Sequence, residues 1–209
     1  MQVSFYFYAA ILLGLTIWSW HFYIKFRMKK PYCVIPIYLL IVFIVEVTSK
    51  LMAWIIQNNG PIYHLMNVVQ VLFIGFIYSH AFGRKKINLV RLMAAITLLF
   101  CIANSLFIEG IWAFPINNLT TISFFALLLV LFHLREMLLN PSEKPLLQES
   151  MFWINLSQLI FFGMTFFLWP FLIGIFEFAL WVSASVMATN LAMYITLFYG
   201  LYQQRSAST

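Results

Sequence analysis

The chain has 209 residues, 64% hydrophobic, 19% aromatic and only 9% charged, with a formal charge of +6 from 12 Lys and Arg against six acids, all of them Glu. A soluble domain carries about 25% charged residues and cannot bury this much apolar surface in a core of this size. The composition predicts an integral membrane protein and excludes a separate soluble catalytic or nucleic-acid-binding domain beside its spans.

A membrane helix needs ~20 mostly apolar residues. The first predicted span is 3–25, ended by Arg27, Lys29, Lys30 and Pro31, and the second is 32–57, ended by the turn Asn58-Asn59-Gly60-Pro61. The third is 64–82, followed by Gly83 and the run Arg84-Lys85-Lys86, and the fourth is 88–108, closed by Glu109-Gly110. The fifth is 117–139, leading into Asn140-Pro141-Ser142, and the sixth is 150–169, with Pro170 and Gly174 at or just past its end. The seventh, 178–202, runs into a short polar tail. Hydrocarbon offers no hydrogen-bond partners, so a span is helical or belongs to a closed barrel. Barrel strands alternate apolar and polar residues over ~10 positions, whereas these runs are longer and apolar on nearly every face. The expected fold is all-α: a polytopic seven-transmembrane-helix bundle, residues 1–209 forming one transmembrane domain. The first span lacks the basic start and small-residue cleavage site of a signal peptide, so it is expected to be retained.

Charge sets the expected orientation. Lys25, Arg27, Lys29 and Lys30, then Arg84, Lys85, Lys86 and Arg91, then Arg135 and Lys144, and finally Arg205 all fall on one side of the alternating spans. The remaining connections carry Glu109 and Glu177 and no base. Lys and Arg favour the cytoplasmic face, which predicts the N-terminus outside and the C-terminus cytoplasmic. Eleven of the 12 bases obey this arrangement, and Lys50 is the exception. Bases at a membrane face point to anionic lipid headgroups rather than nucleic acid.

Glu46 and Lys50 lie one turn apart on the second span and share a face. A rise of ~1.5 Å per residue puts Glu46 near the midplane and Lys50 a turn closer to the outer surface. Each alone costs about 2.5–3.5 kcal/mol on insertion scales. Two readings stand: a ligand, proton or ion site, or an internal ion pair that neutralises itself. On the third span Tyr63, Asn67 and Gln70 follow i, i+4, i+7 spacing with His64 beside them, and Thr97, Cys101 and Asn104 make a similar stripe on the fourth. Together with Lys50 these could line an outward-facing polar pocket, with Glu46, Lys50, Tyr63, His64, Asn67, Gln70 and Asn104 as its candidate ligand-binding residues. Alternatively they are interhelical hydrogen bonds, a common use of such side chains in membranes. Asn155, Gln158, Thr165 and Trp169 on the sixth span, and Ser183, Asn190 and Tyr194 on the seventh, read as packing stripes. Trp112, Trp169 and Trp181 read as interfacial anchors.

Catalytic signatures are absent. His21, His64, His80 and His133 form no HxxxH or HExxH pair, Cys33 and Cys101 no CxxC, and the chain has no Asp. No metal, cofactor or disulfide is therefore expected. A Schiff base of the retinal type would need a lysine deep in the seventh span, which has none.

Glu46, the run Asn59 to Tyr63-His64, Asn104-Ser105-Leu106-Phe107 and Phe152-Trp153-Ile154-Asn155 carry a resemblance over nearly the whole chain. The chain resembles a group of uncharacterised seven-helix membrane proteins from Bacteroidetes, often encoded beside sensor histidine kinases. The resemblance implies a signalling accessory and supplies no catalytic residue; at the position of Gln70 that group is more often acidic. The expected function is a bacterial inner-membrane receptor-like or sensory protein. Its expected partners are the lipid bilayer, a small ligand or lipid, and a cytoplasmic or membrane signalling partner. The alternative is a small transporter or channel subunit using Glu46 as a proton or cation site.

Overall fold

The computed structural model describes residues 2–26, 28, 31–83, 86–172 and 179–206, and side chains except at 2–4, 169–183 and 205–206. Arg27, Lys29, Lys30, Arg84, Lys85, Gly174 and Glu177, and the side chains of Trp169, Trp181, Ser183 and Arg205, lie outside the described residues.

The described residues form α1 (Gln2–Phe26), α2 (Val34–Ile55), α3 (Gly60–Ala81), α4 (Ile87–Phe107), α5 (Ile116–Leu139), α6 (Ser150–Leu172) and α7 (Ala179–Ser206). A 3₁₀ turn at Leu146–Gln148 precedes α6. All seven α-helices are long and apolar enough to cross a membrane. Each satisfies its backbone internally, as a hydrocarbon environment requires.

Several boundaries differ from the sequence expectation, those of α2 and α3 for local reasons. Helix α3 starts at Gly60 rather than 64 because Pro61 sits in its first turn, where the missing N–H is no loss. The Asn58 side chain accepts the Gly60 N–H at 2.8 Å, so the expected turn is itself the start of the helix. Helix α2 starts at Val34 rather than 32 and accommodates Pro36 in its first turn for the same reason. It ends at Ile55, where Gln57 adopts a left-handed φ of 59° and breaks the spiral. Helix α6 continues past Pro170 to Leu172 rather than ending at 169.

Helix α1 packs on α2 and α7, α6 packs on α5 and α7, and α3 contacts α2, α4 and α5. Six helices thus close a ring, with α4 outside it against α3 and α5. Gly75 lets α3 approach α4 closely, since a Cβ there would lie 2.9 Å from that of Ala94. Small residues serve such approaches in membranes, where packing rather than water exclusion drives association.

The two ends of the bundle are tied differently. At one end the Lys86 ammonium bridges to the Glu136 carboxylate, joining the start of α4 to the end of α5. There, too, Tyr32 packs by Glu149 and Ser150. Burial and the Glu149 charge push its hydroxyl up to about 12, opposed by a hydrogen bond with Ser150. At the other end Asn58 Nδ2 donates to the Trp112 carbonyl at 2.9 Å. Gly60 sits so close to that loop that a Cβ would lie 2.8 Å from the same oxygen.

The interior toward the Lys86 end is packed and hydrogen-bonded around Tyr78 and Asn155. Tyr38 stacks on Phe73 with ring centroids 3.8 Å apart. The buried Tyr78 hydroxyl donates to Asn155 Oδ1 at 2.8 Å, and Asn155 Nδ2 donates to His133 Nδ1 at 2.8 Å. One chain of hydrogen bonds therefore fastens α3, α6 and α5 together.

Candidate functional site

Toward the Gly60 end the same bundle encloses a cavity of about 350 Å³, bounded by α1, α2, α3, α6 and α7 with Phe114 and Leu119. Its walls are mostly apolar with a few convergent polar groups, the composition typical of small-molecule sites.

Glu46 enters from α2. Its Oε1 accepts the Tyr8 hydroxyl of α1 at 3.0 Å. Tyr194 and Asn190 of α7 are hydrogen-bonding neighbours of that hydroxyl. A polar line thus crosses the ring from α7 through α1 to α2. Glu46 and Lys50 form no ion pair, and the one salt bridge among the described residues is Lys86–Glu136. The Lys50 ammonium stands 5.5 Å from the centroid of the Phe5 ring instead, at the cavity wall. Its long stem carries the charge away from Glu46 toward the helix end, as lysines in membranes commonly do.

Helix α3 supplies the second polar face. Tyr63, Asn67 and Gln70 share a side through their helical spacing and all line the cavity. Asn67 is 1% exposed and Gln70 5%. Asn67 Nδ2, Gln70 Oε1 and, across the cavity, Asn190 Oδ1 are buried without a hydrogen-bond partner among the described residues. Buried polar groups are nearly always paired, and each unmet one costs about 1–3 kcal/mol. Three such atoms stand around one cavity.

His64 and Asn104 go elsewhere, into a clasp between α3, α4, α5 and the loop before α5. The His64 Nε2–H donates to the Ala113 carbonyl at 3.1 Å, while Nδ1 lies 2.7 Å from Ser105 Oγ. Asn104 Nδ2 donates to Glu109 Oε2 at 2.5 Å and to Asn118 Oδ1 at 2.8 Å. Asn118 Nδ2 donates in turn to Ser105 Oγ at 2.9 Å, and Glu109 Oε1 accepts the Asn117 N–H at 2.6 Å. None of these side chains is left with an unmet buried atom.

Of the seven candidate residues, Glu46, Tyr63, Asn67 and Gln70 share the cavity, Lys50 touches its wall through Phe5, and His64 and Asn104 belong to the clasp. Sequence reasoning missed Tyr8, and it read Thr165, Asn190 and Tyr194 as packing although all three line the cavity. Their i, i+4 spacing was the available signal; Tyr8 gave none.

Thr165 and Thr189 donate their hydroxyls to the carbonyls of Phe161 and Ser185, at 2.7 and 2.8 Å, so neither is poised as a nucleophile. Among the described residues no group of three His, Cys, Asp or Glu side chains could hold a metal ion. Comparison with known protein families, curated proteins and solved structures finds no match to this chain.

Proposed function

We propose that this chain is a receptor-like sensory or signalling accessory protein of a bacterial inner membrane, and that the cavity is its ligand site. The observation that supports this most directly is the set of unpartnered buried amide atoms of Asn67, Gln70 and Asn190 around one cavity. The segregation of eleven of the 12 bases supports an N-terminus outside and a cytoplasmic C-terminus. In that orientation the cavity faces outward and the Lys86 end faces the cytoplasm. A ligand would bias two arrangements of the bundle by its differential affinity for them. A membrane or cytoplasmic signalling partner would read the change at the basic loops.

A transporter or channel subunit is the second reading, favoured by the polar line from Glu46 through Tyr8 to Tyr194. Cysteine accessibility separates the two. In a variant with Cys33→Ser and Cys101→Ala, Met187→Cys places a thiol on the cavity wall, and Met193→Cys places one in the packed core as control. A receptor predicts that a cationic, membrane-impermeant thiosulfonate labels Met187→Cys from outside intact cells alone, and spares Met193→Cys. Labelling from both faces would favour alternating access and hence transport. Labelling from the cytoplasmic face alone would reverse the orientation, and labelling from neither would refute the open cavity.

A further inference from the structure

We infer that the ligand of this cavity is an organic ammonium, a single positive head on a small apolar body; the inference rests on the reading of the cavity as a ligand site. Charge is the first argument. Glu46 is the one acidic side chain among the described residues that line the cavity, no Lys, Arg or His shares that lining, and Lys50 reaches its wall only through Phe5. The single hydrogen bond it takes among the described residues comes from Tyr8, a neutral phenol, and its nearest cation on α2 points to Phe5. A carboxyl group placed so deep in a bundle is costly without a partner, and among the described residues no cation stands within ion-pair distance of it.

Hydrogen-bonding capacity is the second argument. Gln70 Oε1 and Asn190 Oδ1 are acceptors with nothing to accept. With Glu46 they give three acceptor groups around one space, and an ammonium head has up to three N–H bonds to donate. Asn67 presents an N–H, but an amide can turn over and present its oxygen to the same ligand. A carboxylate or phosphate ligand would set a second acidic group against Glu46, whereas an ammonium meets it with opposite charge.

The walls supply the third argument. Phe5, Phe114 and Phe161 line the cavity together with the thioethers of Met66, Met164 and Met187. Aromatic faces attract ammonium groups by about 0.5–2 kcal/mol, and polarisable thioethers adapt to an apolar body. The protein already places an ammonium on this wall, since Lys50 Nζ lies 5.5 Å from the Phe5 centroid. A lipid ethanolamine head shares the ammonium, but its phosphate would need a cation that the described lining lacks. The apolar walls favour a free amine.

The test uses the full-length protein in phosphatidylcholine nanodiscs, titrated calorimetrically with 2-phenylethylammonium, 2-phenylethanol and phenylacetate. The ammonium is expected to bind about tenfold more tightly than the alcohol, with no binding of the anion. Glu46→Gln should lower ammonium affinity about tenfold and leave the alcohol unchanged. Gln70→Leu, which keeps the charge, should weaken the ammonium by about fivefold, so the test survives a Glu46→Gln variant that fails to fold. Equal affinity for ammonium and alcohol, or preference for the anion, would overturn the ammonium class while leaving the ligand site standing. Binding of none of the three would overturn both. Replacing half the lipid with phosphatidylethanolamine should leave ammonium affinity unchanged; a competitive loss would overturn the free amine in favour of the lipid head.

Discussion

The two halves of the bundle use the same residue types to opposite ends. Toward the Lys86 end, Asn155 is fully buried and both faces of its amide are engaged, by Tyr78 and by His133. Toward the Gly60 end, Asn67 is as deeply buried, yet its Nδ2 has no partner among the described residues. A paired amide between membrane helices contributes about 0.6–2 kcal/mol, whereas an unmet one subtracts a comparable amount. In the first half the interior polar groups fasten the helices; in the second some of them face a cavity unmet. The clasp of His64, Asn104, Asn118 and Glu109 explains how the second half stays closed around a cavity. It ties α3, α4 and α5 at their ends with a satisfied network, so that the unmet groups can be carried inside.

This contrast can be broken at the clasp first. Asn118 joins Asn104, Ser105 and the Cys101 carbonyl, and it is wholly buried. Asn118→Leu should therefore destabilise the protein by about 2–3 kcal/mol in chemical unfolding from mixed micelles, because several buried groups lose partners together. Gly60→Ala should cost about 1–2 kcal/mol by the same assay, since the added Cβ meets the Trp112 and Ala113 carbonyl oxygens at 2.8 and 2.9 Å. The smallest effect has the opposite sign. Gln57 holds a φ of 59° just past the end of α2, where glycine is free of strain, so Gln57→Gly should stabilise by about 0.5–1 kcal/mol. A destabilising Gln57→Gly would mean that its side chain, rather than its backbone, matters at that helix end.

Much of the fold is legible in the sequence because the bilayer imposes it. Long apolar runs between charged or Pro-Gly-Asn segments mark the spans, and the described residues form seven helices of that kind. The start of α3 was harder, because Asn58-Asn59-Gly60-Pro61 reads equally as a loop and as a helix start. The site was legible along single helices and illegible between them. The i, i+4, i+7 spacing of Tyr63, Asn67 and Gln70 puts them on one face, and they do share the cavity. His64 and Asn104 look the same in sequence, but a modest rotation around each helix axis sends them into the clasp. Whether Glu46 pairs with Lys50 or with a residue of another helix depends on α1. Tyr8 carries no periodic signal in a segment already crowded with aromatic residues, so its bond to Glu46 emerges only from the packing of α1 on α2.

The sharpest test of the contrast compares two leucines of nearly equal placement, Asn67→Leu and Asn155→Leu, in reversible unfolding under one set of conditions. Asn155→Leu should lose about 2 kcal/mol, because it strands the Tyr78 hydroxyl and the His133 ring. Asn67→Leu should be neutral or gain up to about 1 kcal/mol, because it removes a buried N–H that no described residue satisfies. Equal destabilisation by the two would contradict the account: Asn67 would then be one more fastening of the bundle, and the cavity beside it no more than a gap in its packing.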